Sequence, residues 1–263
     1  MRITVLGKSP SWPDAGGACS GYLVQQGDTT LLLDCGNGVF GKLRQFVDYT
    51  DVDAVVLSHL HADHILDVIP YAYGLLYAPR QQPVPVHVWR GTDEPARPRL
   101  IGPPGTRDVF RQLGRAWNGE DVVERAFDIC EYGIDEIAEV GPLSIAFCEV
   151  PHFTTTHAVE ISQPDGRRFT YGADHRPSDE LVEFALDTDL LLIEATLPRP
   201  EREGIRGHLT PGEAGEHARR ARARRVVLTH VSDELDAGWV RTEAEKAYGA
   251  PVSMALEGVV YEV

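Results

Sequence analysis

Polar residues of metal-binding type sit where apolar runs end. "DAVVLSHLHADHILD" places His59, His61, Asp63 and His64 directly after a short apolar stretch. "SIAFCEVPH" closes on His152, "FTYGAD" on Asp174 and "VVLTH" on His230. Apolar runs this short, bounded by turn residues, read as buried strands. The chain must then align several strands so that their ends converge on one edge. That requirement favours a sheet sandwich with helices outside and a site along that edge.

The rest of the chain agrees with this outline. "GYLVQQGDTTLLLDCG" and "HAVEISQPDGRRFTYGAD" carry hairpin signals, two apolar runs around a turn. "RITVL", "TDLLLIEAT" and "VPVHVWRG" read as further strands. "GVFGKLRQFV" and "DVIPYAYGLLYAP" read as helices, and "TPGEAGEHARRARARR" as a helix with proline in its first turn and a basic end. Residues 91–137 differ: "GTDEPARPRLIGPPG" is rich in proline and glycine, and apolar residues at helical spacing follow it. A single domain over 1–263 is expected, with a helical insertion or lid at about 91–137.

Composition narrows the partners. The net charge is -15, from 40 acidic and 25 basic residues, and the only lysines are Lys8, Lys42 and Lys246. Such a surface disfavours large nucleic acids and anionic membranes. It leaves room for a small anionic substrate, because bound cations supply local positive charge. The four cysteines show no CxxC spacing, "MRITVLG" reads as a strand rather than a signal segment, and no apolar stretch approaches a membrane span. A soluble cytoplasmic protein is expected.

The histidine cluster is best read as a metal site. His59 and His61 alternate and point the same way in an extended loop, while Asp63 and His64 follow a turn and face a second point. Neutral imidazoles and carboxylates suit zinc and similar divalent ions. One loop cannot complete two coordination shells, so the later strand ends must contribute.

"HLHADH" resembles the HxHxDH motif of the metallo-β-lactamase superfamily, and "VPHF", "YGAD" and "LTH" resemble its later ligand segments. The segment "LLLDCGNG" resembles the glycine turn that precedes the motif. The resemblance implies an α/β fold, a four-layered αββα sandwich, holding two divalent metal ions. Zinc is the default, with manganese or iron as alternatives. His59, His61 and His152 would hold the first metal, and Asp63, His64 and His230 the second. Asp174 would bridge them, with a hydroxide between the metals as nucleophile and Asp63 orienting it.

Two further segments are similar to the ribonuclease Z branch and its small bacterial phosphodiesterases. "LLIEAT" carries Glu194, and "GHLTPGEAGEHARRA" carries His208 at a helix mouth. The resemblance implies a phosphodiesterase acting on a small diester such as a cyclic nucleotide, with His208, held by Glu194, protonating the leaving oxygen. The alternatives are a ribonuclease Z-type RNA 3′-processing endonuclease, and a lactonase or thioesterase, which needs no such pair. The lysine-rich arm of the transfer-RNA enzymes has no counterpart. A β-lactamase is disfavoured by aspartate at Asp174, a flavin-linked di-iron oxidoreductase by histidine at His61, and a scaffold by the full ligand set. Relatives of this branch are often dimers, which makes a homodimer an expectation by analogy. Among the other histidines, His87 reads as structural within a strand, His217 as solvated and His157 as lining the cleft. His175 stands where relatives often carry threonine, with a role left open.

Overall fold

The computed structural model describes residues 1–133, 136–201 and 203–263. Two sheets of seven strands face each other. The first contains β1 (Arg2–Gly7), β2 (Gly21–Gln26), β3 (Thr29–Leu33), β4 (Ala54–Val56), β5 (Arg99–Gly102), β6 (Asp128–Glu131) and, at its edge beside β1, β14 (Val260–Glu262). The second runs β7 (Ala138–Val140), β8 (Leu143–Val150), β9 (Thr156–Ser162), β10 (Arg168–Tyr171), β11 (Leu190–Glu194), β12 (Val226–Thr229) and β13 (Ser253–Met254).

Each sheet changes character half-way. β14, β1, β2 and β3 pair antiparallel, and β3 through β6 pair parallel. β7 to β10 pair antiparallel, and β10 through β13 pair parallel. The parallel halves require crossovers, and helices supply them. α1 (Val39–Leu43), α2 (Ala62–Ile65), α3 (Val68–Tyr77), α4 (Thr106–Arg115) and α5 (Val122–Ala126) accompany the first sheet. α6 (Asp179–Phe184), α7 (Pro211–Arg220) and α8 (Ala237–Tyr248) accompany the second.

Strand alternation sorts side chains between the layers. Leu31 and Leu33 enter the core between the sheets, with Ile145, Phe147, Val159 and Leu192. Leu32, between them in sequence, points outward to Val39, Leu43, Val68 and Tyr71 under the helices. On the second sheet, Leu191 and Ile193 meet Leu181, Ala214, Ala218 and Val240. Central strands buried on both faces thus read as unbroken apolar runs. The expected αββα sandwich is what forms.

Two expectations need correction. "VPVHVWRG" forms no ladder strand; only an isolated bridge joins Val86 to Trp89. The alternation imitates a strand, but Pro83 and Pro85 cannot donate to a ladder and no layer covers the segment. Val84 is 67% and Val88 77% exposed, and His87 is exposed with them. The neighbouring strand of the sheet is instead β5, paired with β4 and β6. The helical insertion or lid expected at 91–137 is likewise not a cover over the sandwich. It supplies β5 and β6, and packs Phe110, Val122 and Val123 beneath the first sheet's outer face. Its proline- and glycine-rich start is the loop into β5. Residues 134 and 135 of that stretch lie outside the described residues. Among the described residues, no helix is long and apolar enough to cross a membrane.

Candidate metal centre

The site forms where strands end. β4 delivers His59 and His61, and α2 turns Asp63 and His64 back toward them. β8 delivers His152, β10 Asp174, β11 Glu194 and β12 His230. Three non-glycine residues here take left-handed backbone conformations: Asp34 (φ 56°), Ala173 (φ 53°) and His230 (φ 56°). Such conformations are uncommon for side-chain-bearing residues and often mark functional turns. They end the strands sharply and aim the adjoining side chains along one edge.

The donors converge in two groups that share one carboxylate. His59, His61, His152 and Asp174 offer ligand atoms within 4.8 Å of one another, and so do Asp63, His64, Asp174 and His230. His59 Nε2 and His152 Nε2 lie 3.1 and 3.2 Å from His61 Nδ1. Asp174 Oδ2 stands 3.4 Å from both His64 Nε2 and His230 Nε2. Asp63 Oδ2 is 3.2 Å from His230 Nε2.

Outer partners fix which nitrogen each ring turns inward. His152 Nδ1 donates to Gly207 O at 2.8 Å, leaving Nε2 as the inward lone pair. His64 Nδ1 lies 2.7 Å from Asp34 Oδ2, which also accepts the Ser58 hydroxyl at 2.8 Å. Asp34 Oδ1 accepts Ser58 N at 2.8 Å. Ser58 Oγ is 3.0 Å from His59 Nδ1, and Thr196 Oγ1 is 2.8 Å from His230 Nδ1. Asp34, Ser58 and Thr196 lie within the motif-bearing segments of the sequence, but their spacing carries no sign that they would meet the ligand rings; the fold supplies that role.

These donors fit a divalent cation. His64 Nε2 and Asp174 Oδ1 are buried without a hydrogen-bond partner. Buried polar atoms normally have one, and a cation between the rings and carboxylates would complete them. Burial depresses His59, His61 and His152 below the ordinary imidazole range, which keeps them as neutral donors. Burial works against the charge on Asp174, yet His230 and His64 hold its carboxyl well below the usual range.

A second pair flanks this centre. His208 Nδ1 donates to Glu194 Oε1 at 3.0 Å, and the His208 ring stacks on His230 at 5.4 Å and 21°. Glu194 also accepts His175 N at 2.8 Å, Thr196 Oγ1 at 2.6 Å and Leu209 N at 3.2 Å. Burial opposes a charge on His208, but the Glu194 carboxylate outweighs it and raises the imidazole to about 9. The loop is pinned just downstream: Thr210 caps α7 in a reciprocal capping box with Glu213, and Pro211 opens the helix. Leu197 N closes the loop on Leu209 O at 2.9 Å.

The architecture has known counterparts. A model of the β-lactamase superfamily domain matches residues 29–231. The chain belongs to the β-lactamase superfamily. It is 32% identical to the probable metallo-hydrolase YhfI of Bacillus subtilis over 263 residues, all of both chains. The crystal structure of YhfI, a metallo-β-lactamase fold protein, superposes with a TM-score of 0.84 at 28% identity, covering 100% of this chain and 98% of that one. The ribonuclease Z of Myxococcus xanthus is 27% identical over 316 residues, covering 100% of this chain and 98% of the relative. Yeast PDE1 shares the fold alone, with a TM-score of 0.74 at 13% identity, covering 100% of this chain and 99% of that one. The chain is a metallo-hydrolase of this superfamily with His and Asp clusters able to hold metal.

All nine residues singled out from the sequence meet at this edge: His59, His61, Asp63, His64, His152, Asp174, Glu194, His208 and His230. The other histidines do not join them. His157 is buried beneath, with Nδ1 3.2 Å from the Tyr132 hydroxyl. His175 turns its ring away, Nδ1 lying 2.9 Å from Arg176 O, and only its backbone N reaches Glu194. The expectation of a solvated His217 is wrong. It is 4% exposed, its Nε2 accepts Ser178 N at 2.9 Å, and its Nδ1 donates to Glu213 O at 2.7 Å. Its place on a basic helix concealed that this face packs against the start of α6.

Proposed function

We propose that the chain is a phosphodiesterase with two divalent cations, zinc by default and manganese or iron as alternatives. His59, His61 and His152 would hold one ion, Asp63, His64 and His230 the other, and Asp174 both. Bound there, the ions would acidify water and polarise a phosphoryl oxygen. Asp63 would also orient the attacking water.

The observation that carries this reading is the Glu194–His208 pair, 3.0 Å between Oε1 and Nδ1. A phosphodiester expels an alkoxide, which needs a proton at the moment of departure. His208, charged and tethered through Nδ1, keeps Nε2 for that transfer. A thioester, whose thiolate departs without a proton, has less need of such an acid. The similarity to ribonuclease Z over the full length supports phosphodiester chemistry as well.

A small diester is the preferred substrate. The arginines of residues 98–115 are engaged: Arg107 and Arg111 pair with Glu124, and Arg115 with Glu120. Arg99 donates to Glu139 O. With a net charge of -15, little free positive surface is left for an RNA backbone. The full-length similarity to ribonuclease Z keeps RNA 3′ processing as the second reading. A hydrolysis panel with added zinc or manganese tests both. It comprises bis-p-nitrophenyl phosphate, a cyclic nucleotide, a precursor transfer RNA, a lactone and a thioester. Turnover of the small diesters is expected. Turnover of the lactone or thioester without any diester would overturn the proposal, and specific cleavage of the precursor at physiological salt would select the second reading.

A further inference from the structure

A phenylalanine stands at the lip of the metal centre, beside His152 and His208. Phe153 follows His152 directly and is 52% exposed. Its ring centroid lies 4.9 Å from that of His152 and 6.1 Å from that of His208. A lone exposed aromatic is ordinary on a protein surface. This one is built in. A Cβ on Gly207 would overlap the Phe153 ring, so in this position the ring rests directly on the bare backbone of residue 207 in the loop before His208. The carbonyl of the same Gly207 accepts the hydrogen bond from His152 Nδ1 at 2.8 Å. Phe153, His152, Gly207 and His208 therefore form one packed unit.

We propose that Phe153 is a specificity-determining platform that stacks a flat ring carried by the leaving alcohol, so that the favoured diester has a nucleoside-like leaving group. The inference rests on the phosphodiesterase reading and sharpens it. His208 faces the leaving oxygen in that reading, and the group attached to that oxygen lies on the same side of the phosphorus. Phe153 is the aromatic beside His208 on this side. An open apolar face next to a charged imidazole offers a nucleobase both stacking and shelter from water. Stacking is tolerant of base identity, because every base has a π-face.

The test uses the metal-loaded enzyme, Phe153→Ala, Phe153→Leu and Phe153→Trp. Calorimetry compares adenosine 5′-monophosphate with ribose 5-phosphate, which lacks the ring. Alanine and leucine should weaken the nucleotide by roughly 5- to 100-fold, the range of one stacked base, and ribose 5-phosphate much less. Tryptophan should restore nucleotide binding, which a merely structural role would not predict. Kinetics on a cyclic nucleotide should show the same loss in KM, with kcat affected less. Equal weakening of both ligands, or nucleotide affinity unchanged in Phe153→Ala, overturns the platform. The binding arm stands even where no diester is turned over, so failure of the phosphodiesterase reading shows only in the kinetics.

Discussion

Asp34 Oδ2 lies 2.7 Å from His64 Nδ1, both side chains fully buried. This contact decides which His64 nitrogen faces the metal centre. Asp34 is acceptor-only, so Nδ1 must carry the proton and Nε2 is left to bind. An amide cannot satisfy Ser58 N, the Ser58 hydroxyl and His64 in the same way. Asp34→Asn should therefore lower the affinity of one of two bound ions by about 10–100-fold. Metal titration followed by elemental analysis checks this; two ions held as tightly as in the wild type would remove the assignment.

His208→Ala should leave metal content intact and reduce turnover of an alkoxide-leaving diester by ~10²–10⁴-fold. The loss should shrink for bis-p-nitrophenyl phosphate, whose leaving group departs without a proton. Glu194→Gln should follow the same pattern more mildly. Equal losses on both substrates would mark His208 as structural.

The His208–Glu194 pair also sets a pH dependence. Burial opposes the charge, but Glu194 raises His208 to about 9. The acid form is then present at neutral pH and is lost as pH rises. Activity on the alkoxide-leaving substrate should fall on the alkaline side with a midpoint at or below about 9, since nearby cations repel the imidazolium. His208→Ala should lack that limb. The pair's contribution to stability carries the same sign. It is complete below the unfolded histidine value of ~6.5 and disappears as pH rises through the folded value. A pH–rate profile that is identical in the variant would contradict the assignment.

Stripping the ions should destabilise the chain, because inward lone pairs and carboxylates would face one another uncompensated. An ion held at 1,000 times its Kd contributes about 4 kcal/mol. For a chain of this size, about 2–4 °C per kcal/mol converts that to a Tm roughly 8–16 °C lower for each such ion removed by chelator. Calorimetric scans with and without chelator measure the shift; coincident scans would argue against occupied sites.

His217→Ala should behave oppositely to the site variants. It leaves Ser178 N without its acceptor inside the α6–α7 contact, a cost of about 1–3 kcal/mol. Denaturant midpoints should fall while metal content and turnover per folded molecule stay near wild type. A loss of bound metal would show that the residue reaches the centre.

The two-sheet architecture, and the residues that gather at its edge, are legible along the chain. Strand period writes burial directly into residues such as Leu31, Leu32 and Leu33, and His59, His61, Asp63 and His64 are neighbours along the chain. The sequence misjudged residues 91–137, because proline and glycine in the approach loop looked like an insertion while the four residues of β5 gave too short a signal. It says nothing of which nitrogen each ring turns inward. Folding brings together what the chain keeps apart: His217 is sealed under α6, Asp34 orients His64 across 30 residues of sequence, and Phe153 stands over Gly207 beside His208. Spacing along a strand fixes which face a side chain occupies. The direction of an imidazole depends on what its second nitrogen meets, and that partner comes from a distant part of the chain.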